Sequence, residues 1–455
     1  MTAARDPVGP SHPGPPPAEV APTFEAPPSS EARIQHTLPL VVAGIVASMA
    51  NLLSTVFLSR LLSSADYGAL IQLLGLFLVL SMPGTAVMVG VVRRVTSWEV
   101  RGQGHHVRDW VHRVHRIGVA AVVVLALAIW LARGPLIGAL ALPTSTGVVE
   151  ILTAGGVWVL VSIDRGLLQA RQAYRALAAN LVIEGTVRAV VMIGLTAAGM
   201  GLEGAALGLL VAEVAAAGHA RWMVRRTLPA RHQLPGDQVV TVGVDGAVAV
   251  HTGRDLAADI VTAVASLALL AILQNADVIL LGSRAPLDKG SYAAISVPSK
   301  ALVFWALTFA NYLLPEATIR FHQGKHALRQ LGHTFVVLAA PAASLLLVAL
   351  VAPHWALSLV FKEANAGGAP AFAPLAGAMI FLSVSVVLTS YLMGVGWRWV
   401  VPLLATGTAF LIVLTVRADG RMQATADADL LVQGSLAVVM VVAFLLMHRR
   451  AGLER

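Results

Sequence analysis

Apolar stretches long enough to cross a lipid bilayer recur along almost the whole chain. A hydrocarbon core of about 30 Å takes roughly 20 mostly apolar residues in helical form, and such stretches follow one another after residue 36. The chain is 57% apolar and 12% charged, whereas a soluble domain carries about 25% charged residues. Backbone polar groups in lipid must bond within the protein, which favours helices. The sequence therefore predicts an all-α integral membrane protein.

The apolar stretches form two groups of six predicted membrane helices. The predicted order is a disordered Pro-rich cytoplasmic tail at 1–36, a six-helix lobe at 37–224, a cytoplasmic linker at 225–258, a second six-helix lobe at 259–447 and a cytoplasmic tail at 448–455. The predicted helices cover residues 37–59, 68–92, 117–139, 148–170, 176–200, 204–224, 259–281, 291–315, 334–351, 372–396, 400–416 and 430–447.

Basic residues predict the orientation of the helices. Lys and Arg gather in alternate connecting segments, on the side that holds both predicted termini, and such segments normally face the cytoplasm. We attribute the net charge of +8 to contact with anionic membrane lipids rather than to nucleic acid. Arg far outnumbers Lys amid abundant Ala, Gly and Val, a composition typical of GC-rich bacterial genomes. We expect a multi-pass protein of the bacterial cytoplasmic membrane with both termini inside.

The two halves carry similar turns at the predicted outer side. The first helix ends at Arg60 and Tyr67 opens the second, while the seventh ends at Arg284 and Tyr292 opens the eighth. Because each half has an even number of helices, the halves run in the same orientation, as in transporters built from parallel repeats. The linker contains alternating or β-rich runs around Asp245-Gly246, which predict a small hairpin.

Charges within the predicted membrane helices are expensive and are therefore candidate functional residues. Glu184 and Arg188 lie four residues apart on the fifth helix, the spacing of a same-face pair. Two interpretations stay open: a structural ion pair, or a cation that faces a polar cavity and binds an anionic headgroup.

Further candidates lie on the sixth, seventh and eighth helices. Lys300 either pairs with Asp277 or lines the cavity with Asn275. Glu213, near mid-depth with no partner close in sequence, is either a proton-binding group or a protonated, hydrogen-bonded carboxyl. Asp164 is expected to face the bundle and is a second candidate for ion coupling.

Two inner segments carry clustered cations. Arg165 lies near the inner end of the fourth helix and is expected to reach toward lipid phosphate. The segment 93–116 combines histidines and arginines with apolar residues at helical spacing. This pattern favours an amphipathic helix in the headgroup layer over a metal site.

The sequence lacks the common signatures of enzymes. It contains no cysteine, which excludes thiolate catalysis and thiolate metal sites, and no phosphate-binding or zincin motif. The predicted outer loops are too short for a catalytic domain. We therefore expect neither an enzyme nor a bound cofactor.

Two motifs in this frame resemble those of the oligosaccharide flippases of the polysaccharide transporter family, within the MOP exporter superfamily that includes MATE transporters. The first is FLSRLLSSADYGAL at 57–70, and the second is LQNAD at 273–277 followed by LLG at 280–282 and GSYAA at 290–294. The resemblance spans roughly residues 37–447. It implies two lobes around a central cavity and transport of undecaprenyl-pyrophosphate-linked sugars, often with an H⁺ or Na⁺ gradient.

The resemblance also implies roles and alternatives. Arg188 and Lys300 would be cavity cations, and glycan-assembly proteins would be partners. The main alternative is cation-coupled multidrug efflux, which favours acidic groups such as Glu213 and Asp164. A membrane scaffold for cell-envelope synthesis is a further alternative, and a glycan polymerase or ligase lacks the outer loop that it needs.

Overall fold

The computed structural model describes residues 30–100, 105–143, 147–227, 253–322 and 328–453. Regular structure within these ranges is helical, with no strand, so the all-α prediction is confirmed. Most of the predicted N-terminal tail and the hairpin predicted at 239–251 lie outside the described residues.

The described residues of the first half form seven α-helices, six of them long. Helix α1 begins at Ser30, before the predicted start at Thr37. The bounds are α1 (Ser30–Leu61), α2 (Ser64–Val100), α3 (His105–Leu131), α4 (Arg133–Leu140), α5 (Val148–Ala170), α6 (Tyr174–Leu195) and α7 (Gly201–Thr227).

The second half repeats this order, with a short helix again in fourth place. A 3₁₀ turn at Glu363–Gly368 precedes the fifth helix of this half. The bounds are α8 (Gly253–Arg284), α9 (Lys289–His322), α10 (Leu328–Val351), α11 (Pro353–Val360), α12 (Ala369–Gly394), α13 (Val400–Arg417) and α14 (Met422–Leu453).

Eleven of the described segments are long and apolar enough to cross a membrane. One of them, Tyr174–Arg226, contains both α6 and α7, which reverse direction at Gly199 and Gly201, where φ is +94° and +55°. Glycine adopts such angles without steric strain. When α6 and α7 are counted separately, each half contributes six membrane helices, as predicted.

Corresponding positions confirm that the halves share one plan. The short helices α4 and α11 are both eight residues long and both follow the third membrane helix. Tyr67 and Tyr292 are each the fourth residue of their helix, and both are fully buried. Each half also packs mainly against itself, with α2 on α5, α6 on α7 and α1 on α6, and with α9 on α12 and α12 on α14.

The described residues of the segment 93–116 are helical, as predicted, but they form no separate helix. Helix α2 continues to Val100, and α3 starts at His105 and runs without a break to Leu131. Val107 and Val111 are buried in a cluster with α5. Packing against a neighbouring helix therefore takes the apolar face that the prediction assigned to lipid.

Candidate functional site

A network of buried charges occupies the middle of the first lobe. The Arg188 guanidinium pairs through the same nitrogen with Glu184 on its own helix and with Glu213 on α7. Its other terminal nitrogen donates to Asn51 Oδ1 on α1, at 3.0 Å. Arg188 therefore joins three helices, and its side chain is mostly buried, with 13% of its surface exposed.

Arg165 completes this network from α5. It donates to Asn180 Oδ1 at 2.7 Å, pairs with the second oxygen of Glu184 and stacks over Trp158 at 5.1 Å. The expectation that Arg165 reaches lipid phosphate is wrong, because acceptors on the adjacent helix lie within its reach inside the lobe. The position of a residue along a membrane helix does not show toward which neighbour its side chain points.

Glu213 is the least satisfied member of the network. Its side chain has no exposed surface, and Arg188 binds one of its oxygens while the other, Oε2, has no hydrogen-bond partner. The sequence showed no partner for Glu213, and Arg188 provides one across the helix interface. We name Arg165, Glu184, Arg188 and Glu213 the lobe-1 centre.

Asp164 lies apart from the lobe-1 centre although it adjoins Arg165 in sequence. Arg221 on α7 donates to Asp164 at 3.4 Å, and His115 on α3 lies 3.9 Å away. Asp164 faces the bundle, as predicted. Neighbouring residues on a helix point in different directions, which explains the two separate clusters.

Helix α1 presents a polar stripe beside Arg188. Ser48 and Asn51 are exposed and Thr55 is partly exposed, and their spacing of three and four residues places them on one face. Exposed polar side chains within a membrane helix normally line a polar cavity. The opposite face of α1 carries exposed apolar residues, Val42, Val46, Met49 and Leu53.

The second lobe holds a different buried polar group. Lys300 on α9 donates to Asp277 on α8 at 3.0 Å, and the Tyr292 hydroxyl donates to the second oxygen of Asp277 at 3.1 Å. Of the two interpretations of Lys300, pairing with Asp277 is confirmed. Asn275 donates to the carbonyl of Ala271 at 2.9 Å and is buried.

Helix α14 adds a second carboxylate that the sequence analysis missed. Asp429 is fully buried and accepts a hydrogen bond from Gln433 at 3.2 Å, while its Oδ2 has no partner. Asp429 stands one residue before the helix predicted at 430–447, whereas α14 begins at Met422 and includes it. Asp429 interacts electrostatically with Asp277 and Lys300, and we name these three residues the lobe-2 centre.

The lobes meet at the end where α1 and α8 finish, which we name the closed end. A Cβ atom on Gly68 would lie 2.6 Å from the backbone nitrogen of Gly290, and one on Gly290 would lie 2.4 Å from the carbonyl oxygen of Ser64. Glycine is required here because the two backbones touch. Deeper in the bundle, a Cβ on Gly75 would lie 3.5 Å from Asn275.

Cations fasten the closed end by binding helix carboxyl termini across the lobes. Arg60 donates to the carbonyls of Leu359 at 2.7 Å and Val360 at 3.3 Å, the last residues of α11. From the second lobe, Lys362 donates to the carbonyl oxygen of Leu62, just after α1, at 2.7 Å. Lys289, at the start of α9, donates to the carbonyl oxygen of Ala141, just after α4, at 3.3 Å.

Solved structures of membrane transporters have a similar fold. An inward-facing multidrug resistance MATE family transporter of the MOP superfamily aligns with a TM-score of 0.65 over 92% of this chain and 98% of that chain, at 12% identity. A MOP superfamily transporter from Pyrococcus furiosus, described by the reverse polarity of its binding pocket, aligns with a TM-score of 0.62 over 93% and 96%, at 14% identity.

A MATE transporter of Vibrio cholerae also aligns, with a TM-score of 0.57 over 91% of this chain and 96% of that chain, at 16% identity. No family model and no curated protein matches the sequence. The chain therefore has the two-lobe fold of MATE family transporters of the MOP superfamily.

Proposed function

We propose that this protein transports an anionic lipid-linked glycan, of the undecaprenyl-pyrophosphate type, across the bacterial cytoplasmic membrane. The observation that carries the proposal is Arg188, whose mostly buried side chain is 13% exposed and lies beside the exposed polar face of α1. Arg binds phosphate groups through several donors at once, and Ser48 and Asn51 offer partners for sugar hydroxyls. The fold supports transport, and the sequence motifs described above support a glycan.

The closed end supports an alternating-access cycle for this proposal. The charge distribution predicts that the closed end faces outward, so the described conformation receives the headgroup from the cytoplasm while the lipid tail stays in the bilayer. The lobes would then separate at Gly68 and Gly290 and join at the other end. Glycan-assembly enzymes would supply the substrate inside and take it up outside.

The direct test is a flipping assay in proteoliposomes with a fluorescent undecaprenyl-pyrophosphate-linked oligosaccharide. We expect label to disappear from the loading leaflet in a protein-dependent manner, and Arg188→Gln to slow this loss at least about tenfold, the factor that corresponds to one charged hydrogen bond. Arg133→Gln, at an exposed arginine on the short helix α4, is the matched control and should keep the parent rate.

Two results would contradict the proposal. No flipping by the parent under an H⁺ or Na⁺ gradient of either sign would exclude the substrate. Equal slowing by Arg133→Gln and Arg188→Gln would remove the special role of Arg188.

The second candidate function is cation-coupled multidrug efflux. It is favoured by Asp429, whose buried Oδ2 has no partner, and by the multidrug transporters among the similar structures. Efflux would make cells that lack the protein sensitive to cationic drugs, and Asp429→Asn would reproduce that sensitivity. Normal drug resistance together with loss of glycan export would separate the two functions.

A further inference from the structure

The two glutamates of the lobe-1 centre are bound unequally. Glu184 has a partner on each oxygen, Arg165 on one and Arg188 on the other. Glu213 has Arg188 on one oxygen and no partner on the other. Arg188 is therefore shared, and Glu213 is the carboxylate that depends on it alone.

The formal charge of the lobe-1 centre is balanced when all four groups are ionised. Two arginines face two glutamates, so the centre has no excess positive charge for an anionic ligand. An added phosphate would also meet Glu213 next to the same guanidinium nitrogen, and like charges at that distance repel strongly in a low-dielectric interior. An anion therefore binds Arg188 well only when Glu213 is neutral.

We propose that Glu213 takes up one proton when an anionic headgroup binds Arg188, so that proton uptake and substrate binding occur together. This inference rests on the proposed function and adds its coupling. The proton comes from water and forms the neutral carboxylic acid of Glu213. Arg188 then releases Glu213 and donates to a phosphate oxygen, while Arg165 continues to neutralise Glu184.

The charged and titratable groups around Glu213 come from three helices. The charged residues that face it are Arg165 from α5 and Glu184 and Arg188 from α6. Helix α7 itself carries His219, which contacts the centre through Asn180 at 3.2 Å, and α1 contributes the neutral Asn51. The exposed polar stripe of α1 lies beside Arg188, which donates to Asn51 at 3.0 Å.

Calorimetry of the intact protein in detergent tests this coupling. The ligand is undecaprenyl-pyrophosphoryl-N-acetylglucosamine, whose two phosphates are both esterified and do not titrate near neutral pH. We expect the affinity to rise as pH falls, by up to about tenfold per pH unit, which is the limit for one linked proton. Titrations of the parent in buffers with different ionisation enthalpies should give an uptake near one proton.

Glu213→Gln should mimic the site with a protonated Glu213, because glutamine is neutral and has nearly the same shape. We expect this variant to bind the lipid with an affinity that does not change with pH and that matches the parent at low pH. Glu203→Gln, at an exposed acid on the same helix, is the matched control and should keep the parent's pH dependence.

The outcomes separate the coupling from the function. Binding by the parent without proton uptake overturns the coupling and leaves the proposed function standing, and this measurement needs no variant. A Glu213→Gln protein that retains the parent's pH dependence also overturns it. Failure of the parent to bind the lipid at every pH overturns the proposed function itself.

Discussion

The buried polar centres of the two lobes differ although the lobes share one fold. The lobe-1 centre balances two arginines against two glutamates. Its members lie on α5, α6 and α7, and the bond from Arg188 to Asn51 connects it to α1 as a fourth helix. The lobe-2 centre sets one cation, Lys300, against Asp277 and Asp429. The first is neutral when fully ionised, and the second has a surplus carboxylate.

This difference would allow a repeated scaffold to give its halves different tasks. A balanced centre accepts an anion only when one of its acids is neutralised, whereas a centre with a surplus acid accepts a positive charge. The last helix of each half supplies a carboxylate to its centre, but the cations come from different helices, because α13, the counterpart of α6, carries no charge before its last residue, Arg417. The two halves therefore share an arrangement of helices but differ in the buried charges that these helices carry.

The largest effect is expected from removing the shared cation of lobe 1. Arg188→Met leaves Glu213 buried without a partner and should lower the free energy of unfolding by about 3–5 kcal/mol, measured by denaturant titration in detergent. The double variant Arg188→Met with Glu213→Gln should recover most of this loss, because it buries no unpaired charge. A double variant as unstable as the single one would contradict the charge-balance argument.

A smaller effect is expected in lobe 2. Lys300→Met removes a 3.0 Å bond to Asp277 but leaves the Tyr292 hydroxyl in place, so the free energy of unfolding should fall by about 1–3 kcal/mol. The same titration checks this value. A loss equal to that of Arg188→Met would mean that the two centres are energetically alike.

Removing different cations at the closed end should shift the equilibrium toward separated lobes by different amounts. Arg60→Ala removes two bonds to α11 and should shift the equilibrium toward separated lobes by about 1.5 kcal/mol, roughly tenfold. Lys289→Ala removes one longer bond and should shift it less. The absence of cysteine allows labelled single cysteines on the two lobes, and the spin–spin distance between them reports the separation.

The smallest effect is expected at the surplus acid. Asp429→Asn keeps an acceptor for Gln433 and replaces an oxygen that has no partner, so the free energy of unfolding should change by no more than about 1 kcal/mol, the net contribution of one hydrogen bond. Asp277→Asn, which disturbs two bonds, is the comparison. Equal losses would show that Asp429 is as firmly bonded as Asp277.

Apolar windows predict most of the fold but little of the contact pattern. The window at 148–170 coincides with α5, because hydropathy reports where a helix can cross lipid. The window at 117–139 merges α3 with the short helix α4, since hydropathy does not detect a break between two apolar helices.

The candidate site was predictable where partners lie close in sequence. Glu184 and Arg188 are one helical turn apart, and their pairing follows from spacing. The pairing of Arg188 with Glu213 and of Arg165 with Asn180 depends on how helices pack, which spacing within one helix does not determine. Asp429 was missed because two charges, Asp427 and Asp429, stand directly before Leu430 and shorten the apolar window.

The hydrogen bonds at the closed end affect which substitutions this fold tolerates. Arg60, Lys362 and Lys289 all bind main-chain oxygens, and almost any residue type can present such an oxygen at a helix terminus. Only the donor in each contact needs a particular side chain, so a substitution on the acceptor side leaves the contact intact. The junction between the lobes can therefore persist while the helices around it exchange nearly all of their residues.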